Sequence, residues 1–298
     1  MTPVDGLLFI VLAALWGASF LFMRIAAPEF GPVALIGLRV VIAAVVLVPL
    51  AGRSLRLRER KRDLLPLVLL GVLNSALPFT LFAYATLSLT AGFTSVINAT
   101  SPLFTALLGW LWLGDRLERP RVVGLVVGFV GVALLVRDRI GLKGDLARAL
   151  PAIGAALVAA LLYGIAANYT KKRLMSVPPL VASAVCQVGA AVVLLPFTIL
   201  KFPAVMPSGR AWGALVALGV ACTALAYVIF FPLIARLGPV RAIAVTFLIP
   251  AFGMLWGAIF LAEPVTPGML GACAVILCGT AMATGFVGGK KARLSAEP

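Results

Sequence analysis

Ten largely apolar runs of about 16 to 25 residues, parted by short charged, Pro-rich or Gly-rich breaks, fill nearly the whole sequence. They lie at about 6–26, 31–50, 64–84, 89–113, 121–136, 150–170, 179–200, 211–234, 239–262 and 266–287. About 20 helical residues cross a ~30 Å hydrocarbon layer, and lipid offers backbone groups no partner outside the helix itself. The runs therefore predict ten transmembrane helices. A β-barrel would show short alternating strands instead. With 298 residues in all, the chain leaves no room for a soluble domain beside the helices.

Composition removes most other readings. Hydrophobic residues make up 62% of the chain, charged residues 12%, and mean hydropathy is +1.13. A net charge of +15 would suit a nucleic-acid binder only if it coated a soluble domain. Here the basic residues sit between apolar runs, so no nucleic-acid partner is expected. The four cysteines lie inside apolar stretches, where thiols act as small hydrophobes, and the chain has no histidine. Metal centres, cofactors and His-based nucleophile triads are not expected. The first run follows Asp5 with no Lys or Arg before it, which reads as a first span rather than a cleaved leader.

Lys and Arg in the connections set the orientation. With the N-terminus cytoplasmic, 17 basic residues fall inside and seven outside, so both termini are expected in the cytoplasm. A repeat explains the plan. VIAAVVLVPL at 41–50 returns as VGAAVVLLPF at 188–197, and at the same offset of 147 Trp16-Gly17 meets Tyr163-Gly164 and Arg24 meets Lys171. From the third run the offset is 148: Ser75 meets Thr223, Phe79 meets Tyr227, Asn98 meets Thr246, Pro102 meets Pro250 and Asp115 meets Glu263. We read residues 1–142 as one five-helix repeat, 143–287 as a second, and 288–298 as a basic cytoplasmic tail. An odd number of spans in each half makes the second half inverted, which suits a central site opened alternately to either side.

At this point a resemblance is visible. LWGASF in the first run, Arg39 in the second, LGDRL followed by RVVGLVVGFVGV after the fourth, and LAEPVTPGMLGACAVILCGTAM at the end resemble EamA domains of the drug/metabolite transporter superfamily. Within it the chain looks most like the YddG-type bacterial amino-acid exporters. The resemblance implies a monomeric carrier of the bacterial inner membrane, without cofactor, that moves amino acids or similar small molecules and meets membrane lipid all round. The sequence departs from the family pattern at Asp115, where Glu is commoner, and at Ala262, where Gly is usual.

The candidate substrate-binding residues come mostly in pairs across the repeat. Thr94, Asn98, Ser101 and Thr105 fall on one helical face, and Asn98 and Thr246 each precede a proline that frees a carbonyl. Such a face points at a cavity or serves to bond helices together. Trp16 and Tyr163 lie too deep in their spans for interfacial belts. They line a cavity or pack on a neighbour. Ser75 with Phe79, and Thr223 with Tyr227, put a small polar group one turn from a ring. Arg39 is the only ionisable residue well inside a span. It would meet a substrate carboxylate, or snorkel or hold a broken helix's carbonyls, and the resemblance favours a structural role because relatives with other substrates carry it. Gly124, Gly128 and Gly131 form a surface of small residues suited to close helix packing.

No Asp or Glu is expected within a span, whereas proton-driven drug antiporters of the superfamily use one, so facilitated diffusion is the simpler mechanism. A proton-coupled drug or metabolite carrier of the same fold is the alternative. A membrane-embedded transferase would need acidic metal-binding clusters, and a channel a continuous polar pore. Neither is written here.

Overall fold

A computed structural model describes residues 2–52, 61–115, 118–141, 146–238 and 242–286, and all regular structure among them is helical. The first half of the chain holds α1 (Pro3–Phe30), α2 (Pro32–Ala51), α3 (Lys61–Gly71), α4 (Leu77–Ala85), α5 (Ala91–Asn98), α6 (Ser101–Leu113) and α7 (Arg119–Gly141). The second holds α8 (Leu146–Arg173), α9 (Pro179–Leu200), α10 (Gly209–Gly219), α11 (Ala226–Leu237), α12 (Ile249–Leu261) and α13 (Pro267–Ala283). The boundary expected at 142/143 and the tail from 288 lie outside the described residues.

Eight helical segments are long and apolar enough to cross a membrane, α3–α4, α5–α6 and α10–α11 each counting as one. The remaining two, α12 and α13, are apolar but have only 13 and 17 residues. The chain is thus a multi-pass, all-helical membrane protein. α1 reaches beyond its apolar run at both ends. Thr2 and Asp5 close a reciprocal capping box at its start, and Glu29 lies just before Gly31, whose φ of 73° ends the helix. Both acids therefore sit within helical residues, at the two ends and not in the middle.

Four segments are interrupted at matching places. The third run carries a π-turn at Val72–Ala76 and the eighth another at Val220–Leu225, each joining two α-helices into one continuous helical segment. The fourth run parts at Asn98 to Thr100, ahead of Pro102. The ninth opens with a 3-10 turn, Ala244–Phe247, ahead of Pro250. Proline removes the amide that would bond four residues back. In the fourth run the freed carbonyl of Asn98 takes the Ser101 hydroxyl at 2.7 Å instead.

Glycines let the helices cross at short range, and these crossings recur too. A Cβ on Gly17 of α1 would lie 2.6 Å from Phe252 Cβ in α12, and one on Gly164 of α8 would lie 2.9 Å from Phe104 in α6. Gly71 meets the carbonyl of Cys186, while Gly219 meets Ile42 and the carbonyl of Arg39. α7 and α13 also cross closely: a Cβ on Gly279 would run into the backbone of Gly124 and Gly128, as the small-residue surface predicts. The helix ends match as well. The amides of Asp115 and Glu263 reach back six residues to the carbonyls of Gly109 and Gly257, each at 3.1 Å, around the left-handed caps Gly114 (φ 71°) and Ala262 (φ 51°).

Candidate functional site

α2 carries Arg39 as its eighth residue, with 3% of its surface exposed. Its Nε donates to Thr223 Oγ1 at 2.9 Å, and the guanidinium carbon lies 3.9 Å from the centroid of the Phe79 ring. Nη1 faces Met23 Sδ at 3.9 Å. No carboxylate among the described residues pairs with it. Thr223 is held in turn by donating to the carbonyl of Leu218 at 2.7 Å, a bond spanning five residues that the π-turn makes available. A buried guanidinium is tolerable where a ring face and a hydroxyl replace part of its hydration. It still lacks a counter-charge.

A second bond mirrors the first. Gln187 of α9, fully buried, donates from Nε2 to Ser75 Oγ at 3.1 Å, and Ser75 lies in the other π-turn. In both cases the second helix of one half reaches into the third run of the other. Gln187 is the sole glutamine of the chain and was not singled out by sequence, because the gapless register pairs Arg39 with Cys186. The signal was its polarity nine residues into a span. Its Oε1 has no hydrogen-bond partner.

Aromatic rings close around this centre. Tyr163 of α8 lies 6.5 Å from Phe79 and 5.9 Å from Phe82, and both Tyr163 and Tyr227 stand within electrostatic range of Arg39. Tyr227 stacks on Phe231 at 5.8 Å and pairs with Asn74, a π-turn neighbour of Ser75. Arg39, Ser75, Phe79, Tyr163, Thr223 and Tyr227 are therefore one constellation.

Three other candidates make different contacts. Trp16 packs edge-on against Phe230 of α11 at 5.1 Å. Asn98 is half-buried at the end of α5, and Thr246 donates to the carbonyl of Ile243 within its own 3-10 turn. The run that carries Thr94, Asn98, Ser101 and Thr105 is not one uninterrupted α-helix, since α5 ends at Asn98 and α6 begins at Ser101. Thr94, Ser101 and Thr105 each donate to a carbonyl of their own segment. Asn168, which the sequence reading also passed over, is buried and ties α8 to α6 by donating to the carbonyl of Thr105 at 3.0 Å.

Ion pairs lie beyond this centre at the helix ends, again in duplicate. Arg24 Nε lies 3.4 Å from Glu263 Oε1, and Lys171 Nζ lies 2.8 Å from Asp115 Oδ2. Glu263 Oε2 also accepts from the amide of Ala91 at the start of α5, while Arg24 holds the carbonyls of Thr86 and Leu87. Burial holds the Glu263 carboxyl above its ordinary range.

Residues 5–137 and 150–285 each match the sequence pattern of the EamA-like transporter family. The chain belongs to that family. As an EamA-family protein it belongs among transporters and not enzymes. It is 27% identical over 275 residues to the uncharacterised transporter YvbV of Bacillus subtilis, covering 91% of this chain and 88% of that one. It is 26% identical to a probable terminal-alkyne amino-acid exporter of Streptantibioticus cattleyicolor, over 88% and 89% of the two chains. To the aromatic amino acid exporter YddG of Ancylobacter novellus it is 29% identical, over 61% and 63%. One solved crystal structure shares the fold with a TM-score of 0.65 at 22% identity, covering 95% of this chain and 97% of the other.

Proposed function

We propose that this EamA-family protein is a facilitative, alternating-access carrier of the bacterial inner membrane that exports amino acids or related small metabolites. Its ten apolar segments form two inverted five-helix repeats, residues 1–142 and 143–287, with both termini in the cytoplasm. It works as a monomer in contact with membrane lipid. The observation that carries this reading is the duplication of contacts between halves. Arg39 to Thr223 answers Gln187 to Ser75, and Arg24 to Glu263 answers Lys171 to Asp115. Paired seams of this kind give a carrier two related ways to part, one toward each side. The names of the relatives, amino-acid exporters among them, support the substrate class.

Substrate is bound at the seam centred on Arg39, with Ser75, Phe79, Tyr163, Thr223 and Tyr227 around it. Trp16, Asn98 and Thr246 line the approaches that open from it. The carboxylate of an amino acid supplies the counter-charge that Arg39 lacks, and the rings accept varied side chains, so selectivity is broad. The acids of α1, Asp5 and Glu29, lie at its ends and bond to Arg236 and Ser208, which leaves no mid-span carboxylate there to carry a proton. In proteoliposomes preloaded with one neutral amino acid, labelled methionine or threonine should show saturable counterflow, with no accumulation driven by an imposed pH gradient. Counterflow of organic cations or nucleotide sugars alone would sink the amino-acid assignment. Accumulation driven by the pH gradient would sink the facilitative mechanism.

A further inference from the structure

Among the described residues, Gln187 is the one fully buried side chain of the seam with a polar atom, Oε1, that has no hydrogen-bond partner. Its carboxamide is held from one side only. Ser75 Oγ occupies Nε2, the residue is 0% exposed, and Oε1 lies in protein without a donor. Leaving a buried carbonyl unpaired is costly, and a hydrophobic residue of the same size would avoid the cost. A carrier has a reason to keep it, because a substrate donor can complete the bond only when the site is occupied.

The surroundings say which donor. Ser75 and Phe79 are about one helical turn apart on the same run, roughly 6 Å of rise. Ser75 fixes Gln187, and Phe79 lies under Arg39. A guanidinium without a counter-anion and a carbonyl without a donor are thus presented from opposite halves of the chain, on either side of one turn. Such a pair is complementary to a molecule carrying an anion and a protonated amine a few bonds apart.

We propose that Gln187 Oε1 receives the α-ammonium group of the substrate, while Arg39 takes its carboxylate. This assignment rests on the amino-acid reading above. It makes recognition of the zwitterion a joint act of the two halves: one contributes the cation, the other the acceptor. The ammonium donates one N–H hydrogen bond to the carbonyl oxygen, transfers no proton, and keeps its charge. No net charge needs to be buried by the complex beyond what the protein already holds. When the seam parts, both ends are released together.

The test uses purified full-length protein in proteoliposomes, measuring counterflow of labelled methionine against two unlabelled competitors: methionine and its des-amino analogue, 4-(methylthio)butanoate. Wild type should prefer methionine. Gln187→Met, which keeps size and removes the acceptor, should reduce that preference by about tenfold or more, the worth of one hydrogen bond to a charged group, while inhibition by the des-amino acid changes little. A merely structural role would weaken both competitors alike. An unchanged preference in Gln187→Met overturns the proposal. Should that variant fail to reconstitute, Gln187→Glu carries the test. It retains the acceptor and should preserve or sharpen the preference for methionine, and equal competition by the two compounds overturns the assignment. If wild type exchanges no neutral amino acid at all, the amino-acid reading itself falls, and Gln187 with it.

Discussion

At the scale of single residues, the two hydroxyls of the seam have the same role and unequal weight. Thr223 serves a buried guanidinium and Ser75 a neutral amide. Hydrogen bonds to charged groups contribute about 1.5–3 kcal/mol, whereas polar bonds between membrane helices average about 0.6 kcal/mol. Thr223→Val should therefore lower stability by about 2 kcal/mol and Ser75→Ala by less than half of that, compared by thermal unfolding in mild detergent. Equal losses would mean that Arg39 draws its support from Phe79 and not from the hydroxyl. Arg39 was legible in the sequence as the one charge deep in a span. Its partner Thr223 was visible only as a repeat mate of Ser75, since the contact joins residues 184 positions apart and depends on how α2 crosses the eighth run.

Among elements, the caps after α6 and α12 compare one device in two copies. Both end in a left-handed residue, glycine at 114 and alanine at 262. A Cβ in that conformation costs roughly 1–2 kcal/mol, and Ala262 is the only non-glycine with positive φ among the described residues. Ala262→Gly should raise stability by about 1 kcal/mol, and Gly114→Ala should lower it by a similar amount. A melting curve for each settles the matter, and a destabilised Ala262→Gly would show that the alanine methyl has packing worth keeping. The alanine stood out in the sequence against a family habit, but its strain did not, because a backbone angle is not written in composition. Other elements divide in the same way. Apolar length foretold the eight long segments, and Pro102 and Pro250 stand just after two of the interruptions. The π-turn at Val220–Leu225 has no proline within it to announce it. The polar face of the fourth run was drawn with helical spacing carried across the interruption between Asn98 and Ser101.

For the whole molecule, the ends of the helices weigh as much as the middle. Glu263 has an ordinary value of 4.5, which burial raises against the opposing pull of the Ala91 amide and Arg24. A raised acid favours the folded state when protonated, so its contribution is complete below pH 4.5 and is lost as pH climbs through the raised value. Glu263→Gln should match wild type in acid and exceed it on the alkaline side, in melting curves taken from about pH 4 to pH 8. A variant less stable than wild type at the upper end would mean that the charge pair with Arg24 outweighs burial. The companion pair is built differently, with Lys171 and Asp115 side chains 57% and 43% exposed, against 32% and 11% for Arg24 and Glu263. Dissolved salt screens the exposed pair and scarcely reaches the sheltered one. One face of the proposed carrier is therefore latched more loosely than the other, and more loosely still in brine. A carrier with no coupled ion cannot turn such lopsidedness into a gradient, since both faces must agree on the same final balance. It can rest facing one way, so that half-saturation differs between the two sides of the membrane while the equilibrium between them stays where the substrate alone puts it.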